Sequence, residues 1–123
     1  MKFRDYFNND FETSEDHYLR SLRTRYYRCR NDDAMEKVKQ VALKRKARIE
    51  SFDEERHEII FETRNYSVTA TLVSPMMSET AIDLKVNTYK MLPFGKGKKI
   101  IEELYKELDS VLPFKDISLY RGR

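Results

Sequence analysis

Hydrophobic residues at every second position dominate the segment 47–89, and this alternation constrains the fold more than any other feature of the chain. Successive side chains of a β-strand point to opposite faces of a sheet, so the pattern predicts strands with one packed face and one solvated face. Short connections, with a turn at 64–65 and a loop over 74–79, indicate an antiparallel meander. The residues predicted to face the core are Ala47, Ile49, Ser51, Ile59, Phe61, Thr63, Tyr66, Val68, Ala70, Leu72, Ile82, Leu84, Val86 and Thr88.

The segment 96–112 changes to the period of an α-helix. Its apolar residues fall on one side, which is wide enough to lie across a sheet, and Pro113 ends the helix. Glu102 and Lys106 are expected to form an ion pair, one turn apart, on the other side. The apolar side consists of Ile100, Ile101, Leu104, Leu108, Val111 and Leu112.

A short strand and a helix are predicted before the meander. Thr24–Cys29 suits a strand because tyrosine, threonine and cysteine are compatible with a pleated site. The polar run 31–33 offers N-terminal caps to a helix that extends to about Lys46. Asp33 and Glu36 have the spacing of a capping box at the start of this helix.

The resulting order, β-α-β-β-β-β-α, predicts an α+β two-layer sandwich in which helices cover an antiparallel meander sheet. This order resembles the TBP-like and helix-grip folds, in which a long C-terminal helix lies in a curved antiparallel sheet. The resemblance covers residues 24–112 and concerns element order alone. It implies almost nothing about function, because that fold group includes nucleic-acid binders, carriers of lipids and small ligands, and cyclases.

We expect residues 23–112 to form a single α+β domain, with an aromatic-rich arm or short helices over 1–22 and a C-terminal tail over 113–123. Thr13 and Ser14 are plausible N-caps of a short helix. The tail is predicted to add an edge strand or to pack as an arm. The N-terminal aromatic residues, which have helical spacing and are expected to dock on the domain's own core, are Phe3, Tyr6, Phe7 and Phe11.

Composition points to an intracellular globular protein. Cys29 is the only cysteine, so no disulfide forms within the chain, which fits a reducing cytoplasm. Hydrophobic residues make up 40% of the chain and charged residues 37%, a mixture that favours folding over disorder. With no apolar leader or membrane-length segment, we expect a cytoplasmic protein that does not associate with membranes.

Charges are segregated along the chain, although the net charge is only +3. Residues 20–30 and 37–48 are basic blocks without an acid, and 50–62 is predominantly acidic. Such blocks either pair with one another in the fold or present a basic patch to an anionic partner. The candidate patch consists of Arg20, Arg23, Arg25, Arg28 and Arg30.

The loop that opens the last predicted helix is the candidate anion-binding site. Backbone N–H groups at a helix start favour an anion, glycines allow close approach, and lysines add positive charge. The pattern matches neither a P-loop nor a dinucleotide-binding turn, and a flexible turn with solubilising lysines is the alternative. The candidate residues are Gly95, Lys96, Gly97, Lys98 and Lys99.

No catalytic or metal-binding motif is evident. His17 and His57 each lie beside acidic residues, as chance alone would place them in this composition. Cys29 is predicted to be a buried structural residue rather than a reactive thiolate. One cysteine and two distant histidines lack the spacing of a zinc site, so the sequence predicts no catalytic residue, metal or cofactor.

These patterns favour a small cytosolic, non-enzymatic binding module for a protein partner, including a second copy of this chain, or for a small ligand. A ligand is expected between the sheet and the last helix, near Phe61, Tyr66 and Leu104. The exposed pair Met76 and Met77 is expected to fill a loop rather than to bind a partner.

Two other functions remain open at this point. The first is a nonspecific nucleic-acid-associated protein that uses the basic blocks 20–30 and 37–48. It is not favoured, because the predicted outer face of the sheet carries several acids and only Tyr89 as an aromatic platform. The second is a small helix-grip-type enzyme, which would need at least two of the side chains His57, Cys29 and the tyrosines to converge.

Overall fold

The computed structural model describes residues 10–15, 17, 19–89 and 96–117. It is an α+β fold with an open antiparallel sheet of seven strands and two helices, as predicted. The elements in chain order are β1 (Asp10–Glu12), a single 3₁₀ turn (Arg20–Leu22), β2 (Arg25–Tyr27), α1 (Asn31–Lys44), β3 (Arg48–Asp53), β4 (Glu58–Glu62), β5 (Tyr66–Met76), β6 (Glu79–Thr88), α2 (Lys96–Val111) and β7 (Phe114–Ile117).

The strands lie in the order β3-β4-β5-β6-β2-β7, and β6 pairs with three other strands: β5, β1 and β2. One side of β6 pairs along most of its length with β5. Its other side is shared, because β1 lies opposite residues 85–87 and β2 lies opposite residues 80–82. Segments distant in sequence are therefore joined through this strand.

The predicted alternation is confirmed in β4, β5 and β6, where the inward residues form the core beneath the two helices. In β3 the prediction for Ser51 is wrong. A β-bulge between Ile49 and Ser51 places Ser51 opposite Ile60, and Phe52 takes the inward position opposite Ile59. One extra residue in a strand reverses the faces of all residues that follow it.

Helix α2 buries the side predicted from its period, with two corrections. Val111 is 44% exposed, whereas Tyr105 is buried and donates a hydrogen bond to the carbonyl of Ile82 at 2.7 Å. Glu102 pairs with Lys98, at 2.6 Å, rather than with Lys106. Both lysines are one turn from Glu102. Burial alone would raise the pKa of this carboxylate, but the hydrogen bonds from Lys98 and Ser21 outweigh that effect and lower the pKa.

The predicted capping of α1 is confirmed in part, because the Asp32 carboxylate accepts a hydrogen bond from the Asp33 amide at 2.9 Å. Arg30 is the N-cap residue and contributes no side-chain cap, while Asn31 donates hydrogen bonds to the Leu72 carbonyl and to Ser74. The side chain of Asn31 therefore binds residues of β5 instead of capping the helix. The helix ends at Lys44, two residues before the predicted end.

The N-terminal prediction also changes. Phe11 lies in strand β1 rather than in a helix, since pairing with β6 places its ring inward opposite Val86. The ring is 7% exposed and packs on the domain's own core, as expected. Ser14 bridges to Arg23 instead of capping a helix, and the remaining aromatic residues of the arm lie outside the described residues.

The β5–β6 hairpin differs from its prediction, and the C-terminal tail agrees with one of its two predicted forms. The segment predicted as a loop over 74–79 is mostly strand, because β5 runs to Met76 and a turn at 77–78 leads into β6. The register shifts between Val73 and Met76, an irregularity that accommodates Pro75, which has no N–H to donate. The C-terminal tail adds the edge strand β7 beside β2.

Candidate functional site

A cleft of about 520 Å³ lies where one end of the sheet meets the first half of α2. Three pieces of chain form it: the turn between β4 and β5, the residue after β6, and two turns of α2. The lining residues are Arg64, Asn65, Tyr66, Tyr89, Lys96, Lys99, Ile100 and Glu103.

The sheet side of the cleft is a tightly hydrogen-bonded turn. The Thr63 amide donates to the Tyr66 carbonyl at 2.8 Å, and the Thr63 hydroxyl accepts from the amides of Asn65 and Tyr66 at 3.2 and 3.3 Å. The Tyr89 amide donates to the Asn65 carbonyl at 3.0 Å, which ties the end of β6 to the same turn. The backbone of this wall is therefore preorganised.

Arg45, just after α1, connects the two walls. Its guanidinium donates to the Tyr66 hydroxyl at 3.3 Å, to Glu103 at 3.3 Å and to Glu107 at 2.7 Å. Burial opposes its positive charge, but the hydrogen bond to Tyr66 and the two carboxylates outweigh that cost and raise the pKa of Arg45. Arg45 thus holds Tyr66 and the carboxylate of Glu103 in place.

The cleft has a surplus of positive charge. Arg64, Lys96 and Lys99 are exposed, and none of them forms an ion pair within 4.0 Å among the described residues. Glu103, the acid that lines the cleft, is already paired with Arg45. The start of α2 adds the positive end of its helix dipole, so the electrostatics favour an anion.

The residues of the predicted anion site do not share one environment. Lys96 and Lys99 line the cleft, whereas Lys98 is engaged with Glu102. Gly97 is buried, and a Cβ atom there would lie 2.2 Å from Cδ2 of Phe11, so this glycine makes room for the Phe11 ring. Gly95 lies outside the described residues.

The predicted ligand pocket is mostly occupied by the core. Phe61 and Leu104 are each 1% exposed and belong to the packed interior. Tyr66, the third predicted residue, is partly buried and lines the cleft. The available space is therefore at the edge of the predicted location rather than between sheet and helix.

The five arginines of the candidate patch are distributed over different environments. Arg25 forms a two-point ion pair with Asp109, with the closer contact at 2.6 Å, and its guanidinium lies over the Phe114 ring. Arg23 donates to the His17 carbonyl at 2.8 Å. The others, Arg20, Arg28 and Arg30, are exposed. Two of the five guanidinium groups are therefore engaged within the fold, and three are exposed.

The outer face of the sheet carries the acids predicted for it. Pairing places Glu58 beside Thr71, which lies beside Asp83, and places Glu62 beside Ser67. Carboxylates on this face repel a phosphate backbone, which argues against a nucleic acid lying along the sheet.

The candidate reactive groups lie apart. His57 is exposed in the turn between β3 and β4, with φ of 55°. Cys29 follows β2, where burial raises the pKa of its thiol, and β5 and β6 lie between that strand and β4. Within the described ranges there is no group of three histidine, cysteine or acidic residues that could hold a metal ion.

A second depression, of about 560 Å³, lies at the opposite end of α2. Its charges largely compensate one another, since Arg28, Arg30 and Lys37 line it together with Asp33 and Glu36. It has no tyrosine in its lining and a smaller surplus of positive charge than the cleft, which we therefore take as the candidate site.

Sequence reasoning missed Arg45, Arg64, Ile100 and Glu103 as parts of one site. The turn residue Arg64 and the helix residue Lys99 are 35 positions apart, and no local pattern predicts that they line the same space. A basic residue in a predicted turn was the only available signal.

Comparisons with other proteins add no assignment. No family model, no characterised protein and no solved structure matches this chain. In the part of the chain that the structure describes, no helix is long and apolar enough to cross a membrane. The similarity to TBP-like and helix-grip folds therefore remains one of element order.

Proposed function

We propose that this chain is a small, non-enzymatic binding module whose cleft holds an anionic ligand with an apolar or aromatic body. The observation that carries this proposal is that Arg64, Lys96 and Lys99, none of which forms an ion pair within 4.0 Å among the described residues, line one cleft with two tyrosines. A cytoplasmic location is part of the proposal, because the single cysteine is a free thiol, which suits a reducing compartment.

The dimensions and walls of the cleft support a small ligand. Small-molecule sites typically have volumes of about 300–1,000 Å³ and combine apolar walls with a few polar groups. Here Tyr66, Tyr89 and Ile100 offer apolar surface, and the three cations line the same cleft. The helix-grip resemblance, a fold group that includes small-ligand carriers, is consistent with this use but does not argue for it alone.

A fluorescent anion tests the proposal directly. We expect anilinonaphthalene sulfonate, which is aromatic and negatively charged, to bind the purified chain with one site and to fluoresce on binding. The variant Lys96→Glu/Lys99→Glu should bind it about tenfold more weakly or worse, which corresponds to about 1.4 kcal/mol.

The matched control is Lys85→Glu/Lys106→Glu, which changes the same net charge at two exposed lysines outside the cleft. It should bind the dye like the unmodified chain. Equal weakening in both variants would show that the dye senses only net charge, and equal binding in all three proteins would show that the cleft is not used. Either result contradicts the proposal.

Contact with a protein partner is a second candidate function, favoured by one observation. The tip of the β5–β6 hairpin exposes Val73 at 57%, Met76 at 57% and Met77 at 77%. Methionine adapts to varied partner surfaces. If the partner is a second copy of this chain, sedimentation at rising concentration should show a dimer that Met77→Glu abolishes; a monomer throughout would remove that version.

A further inference from the structure

We infer that the ligand of the cleft is a nucleoside phosphate, bound with its phosphate near Lys96 and Lys99 and its base against the tyrosine walls. This inference rests on the proposed function, since it names the chemical class of the anion that the same cleft would hold. The inference goes beyond the proposed function because it specifies the phosphate, the base and the part of the cleft that each occupies.

The cationic groups suit a phosphate better than a carboxylate. Lys96 and Lys99 are three positions apart in α2, so they lie on the same side of the helix. Arg64 approaches from the β4–β5 turn, which gives the cleft cations on two of its walls. Three cations and a helix start exceed what a carboxylate needs, whereas a phosphate monoester carries about −1.5 to −2 charges at neutral pH.

The sheet side of the cleft, to which Tyr66 and Tyr89 belong, suits a flat base. The Tyr89 hydroxyl donates to Glu62 at 2.6 Å, and the Tyr66 hydroxyl accepts from Arg45 at 3.3 Å. Both rings are therefore held in orientation before a ligand arrives, which reduces the entropic cost of stacking. Ile100 completes the apolar surface.

Asn65 supplies the group that a base edge requires. Its side chain is exposed at the mouth of the cleft and has no hydrogen-bond partner among the described residues. An amide offers both a donor and an acceptor, the combination that hydrogen-bonds to the edge of a base. A fatty acid or an aryl sulfonate would leave this group unused.

The volume of the cleft, about 520 Å³, suits one nucleotide unit, so a strand would place only its terminal nucleotide there. The nucleotide is either free or the 5′-phosphorylated end of a strand, and both sources present the same chemistry to the cleft.

Isothermal titration with four probes tests the inference: adenosine monophosphate, adenosine, inorganic phosphate, and a short single-stranded oligonucleotide with or without a 5′-phosphate. We expect the monophosphate to bind at least about tenfold more tightly than adenosine or inorganic phosphate, because both parts of the site must be filled.

Lys96→Glu/Lys99→Glu should remove most of this affinity, and Lys85→Glu/Lys106→Glu should preserve it. A 5′-phosphorylated oligonucleotide that binds more tightly than both the monophosphate and its unphosphorylated form would identify a strand end as the source.

Two additional variants keep the test interpretable. Asn65→Ala should reduce monophosphate affinity while leaving dye affinity unchanged. Arg64→Gln, which replaces a single exposed side chain, should also reduce monophosphate affinity, and it serves as the test if the double variant does not fold. If the dye binds in the cleft but the monophosphate does not, the nucleotide inference is overturned and the binding module stands. If neither binds, both are overturned. Monophosphate binding that is insensitive to the cleft variants also overturns the inference.

Discussion

Lys46 and His57 adopt positive φ angles, 62° and 55°, a conformation that costs side chains with a Cβ atom about 1–2 kcal/mol. Lys46 ends α1: the Ala47 amide donates to the Ala42 carbonyl at 3.0 Å, which is the hydrogen bond of a Schellman motif. We therefore predict that Lys46→Gly raises the free energy of unfolding by about 0.5–1 kcal/mol in urea titrations. Gln40→Gly, at an exposed position inside the helix, should lower it by about 1 kcal/mol. Destabilisation by both substitutions would contradict this account.

Gly97 and Phe11 pack so closely that their substitutions should not be additive. A Cβ atom on residue 97 would lie 2.2 Å from the Phe11 ring, so Gly97→Ala should destabilise the protein by about 1–3 kcal/mol. Phe11→Ala alone should cost about 3 kcal/mol, because the ring is buried. In the Phe11→Ala background, Gly97→Ala should cost nothing, since the obstructing ring is gone. Additive effects in this double-mutant cycle, measured by chemical denaturation, would show that the two residues do not interact.

Asp83 is a half-buried carboxylate whose protonation is linked to folding. Burial raises its pKa, the hydroxyls of Thr13 and Thr24, each at 2.6 Å, partly offset this, and Glu15 and Glu12 raise it further. A group whose pKa is raised in the folded state contributes stability below its unfolded pKa and loses it as pH rises through the folded value.

We therefore predict that Asp83→Asn gains stability relative to the unmodified chain as the pH rises from 4 to 7. Asparagine retains an acceptor for the two threonine hydroxyls and carries no charge. The measurement is the difference in unfolding free energy between the two proteins across this range. A difference that is constant with pH, or that falls, would refute the assignment.

Helix α2, which supplies half of the residues that line the cleft, is attached to the sheet at its other end by a polar cluster. Asp109 accepts hydrogen bonds from Arg25, at 2.6 Å, and from the Tyr27 hydroxyl, at 2.7 Å, and Tyr27 is fully buried. Burial and the neighbouring carboxylate raise the pKa of Tyr27, so its hydroxyl stays protonated and continues to donate. This cluster sets the position of α2 relative to β2 and β7.

Asp109→Ala should destabilise the protein by about 2–3 kcal/mol, because it leaves a phenol and a guanidinium without their acceptor. The exposed pair of Arg48 and Glu62 is the control: the Arg48 side chain is 69% exposed, and Arg48→Ala should change stability by less than about 0.5 kcal/mol. Thermal unfolding of the two variants compares them. Similar shifts would mean that burial does not distinguish these ion pairs.

The molecule as a whole combines local hairpins with distant pairings. Strands β3 to β6 are consecutive hairpin neighbours. In contrast, β1 and β2 precede this meander in the chain and pair with its last strand, β6. Closing such long loops costs entropy before their contacts form, so we expect the meander to fold first. Val68→Ala, in the meander, should mainly slow folding, and Phe11→Ala, in β1, should mainly accelerate unfolding. Stopped-flow chevron plots measure both rates, and the opposite partition would reverse the inferred order.

Local sequence was sufficient for the elements whose geometry depends on near neighbours. Alternation between Tyr66 and Leu72 requires a strand with one buried face, and the apolar period ending at Leu108 requires a helix that covers it, whatever the rest of the chain does. The turn at Arg64 was predictable for the same reason, since the next residue, asparagine, is a favoured turn residue.

Features that depend on a distant partner could not be predicted from those patterns. Phe11 has a spacing that suits a helix, and it became a strand residue because the free half of the β6 edge offers backbone hydrogen bonds. The bulge at Ser51 is an insertion in register, which alternation alone cannot reveal. The cleft itself exists because Arg64, Tyr89 and Lys99 meet across the end of the sheet, and such a juxtaposition is a property of packing between elements: each residue satisfies its own local pattern equally well wherever the others lie.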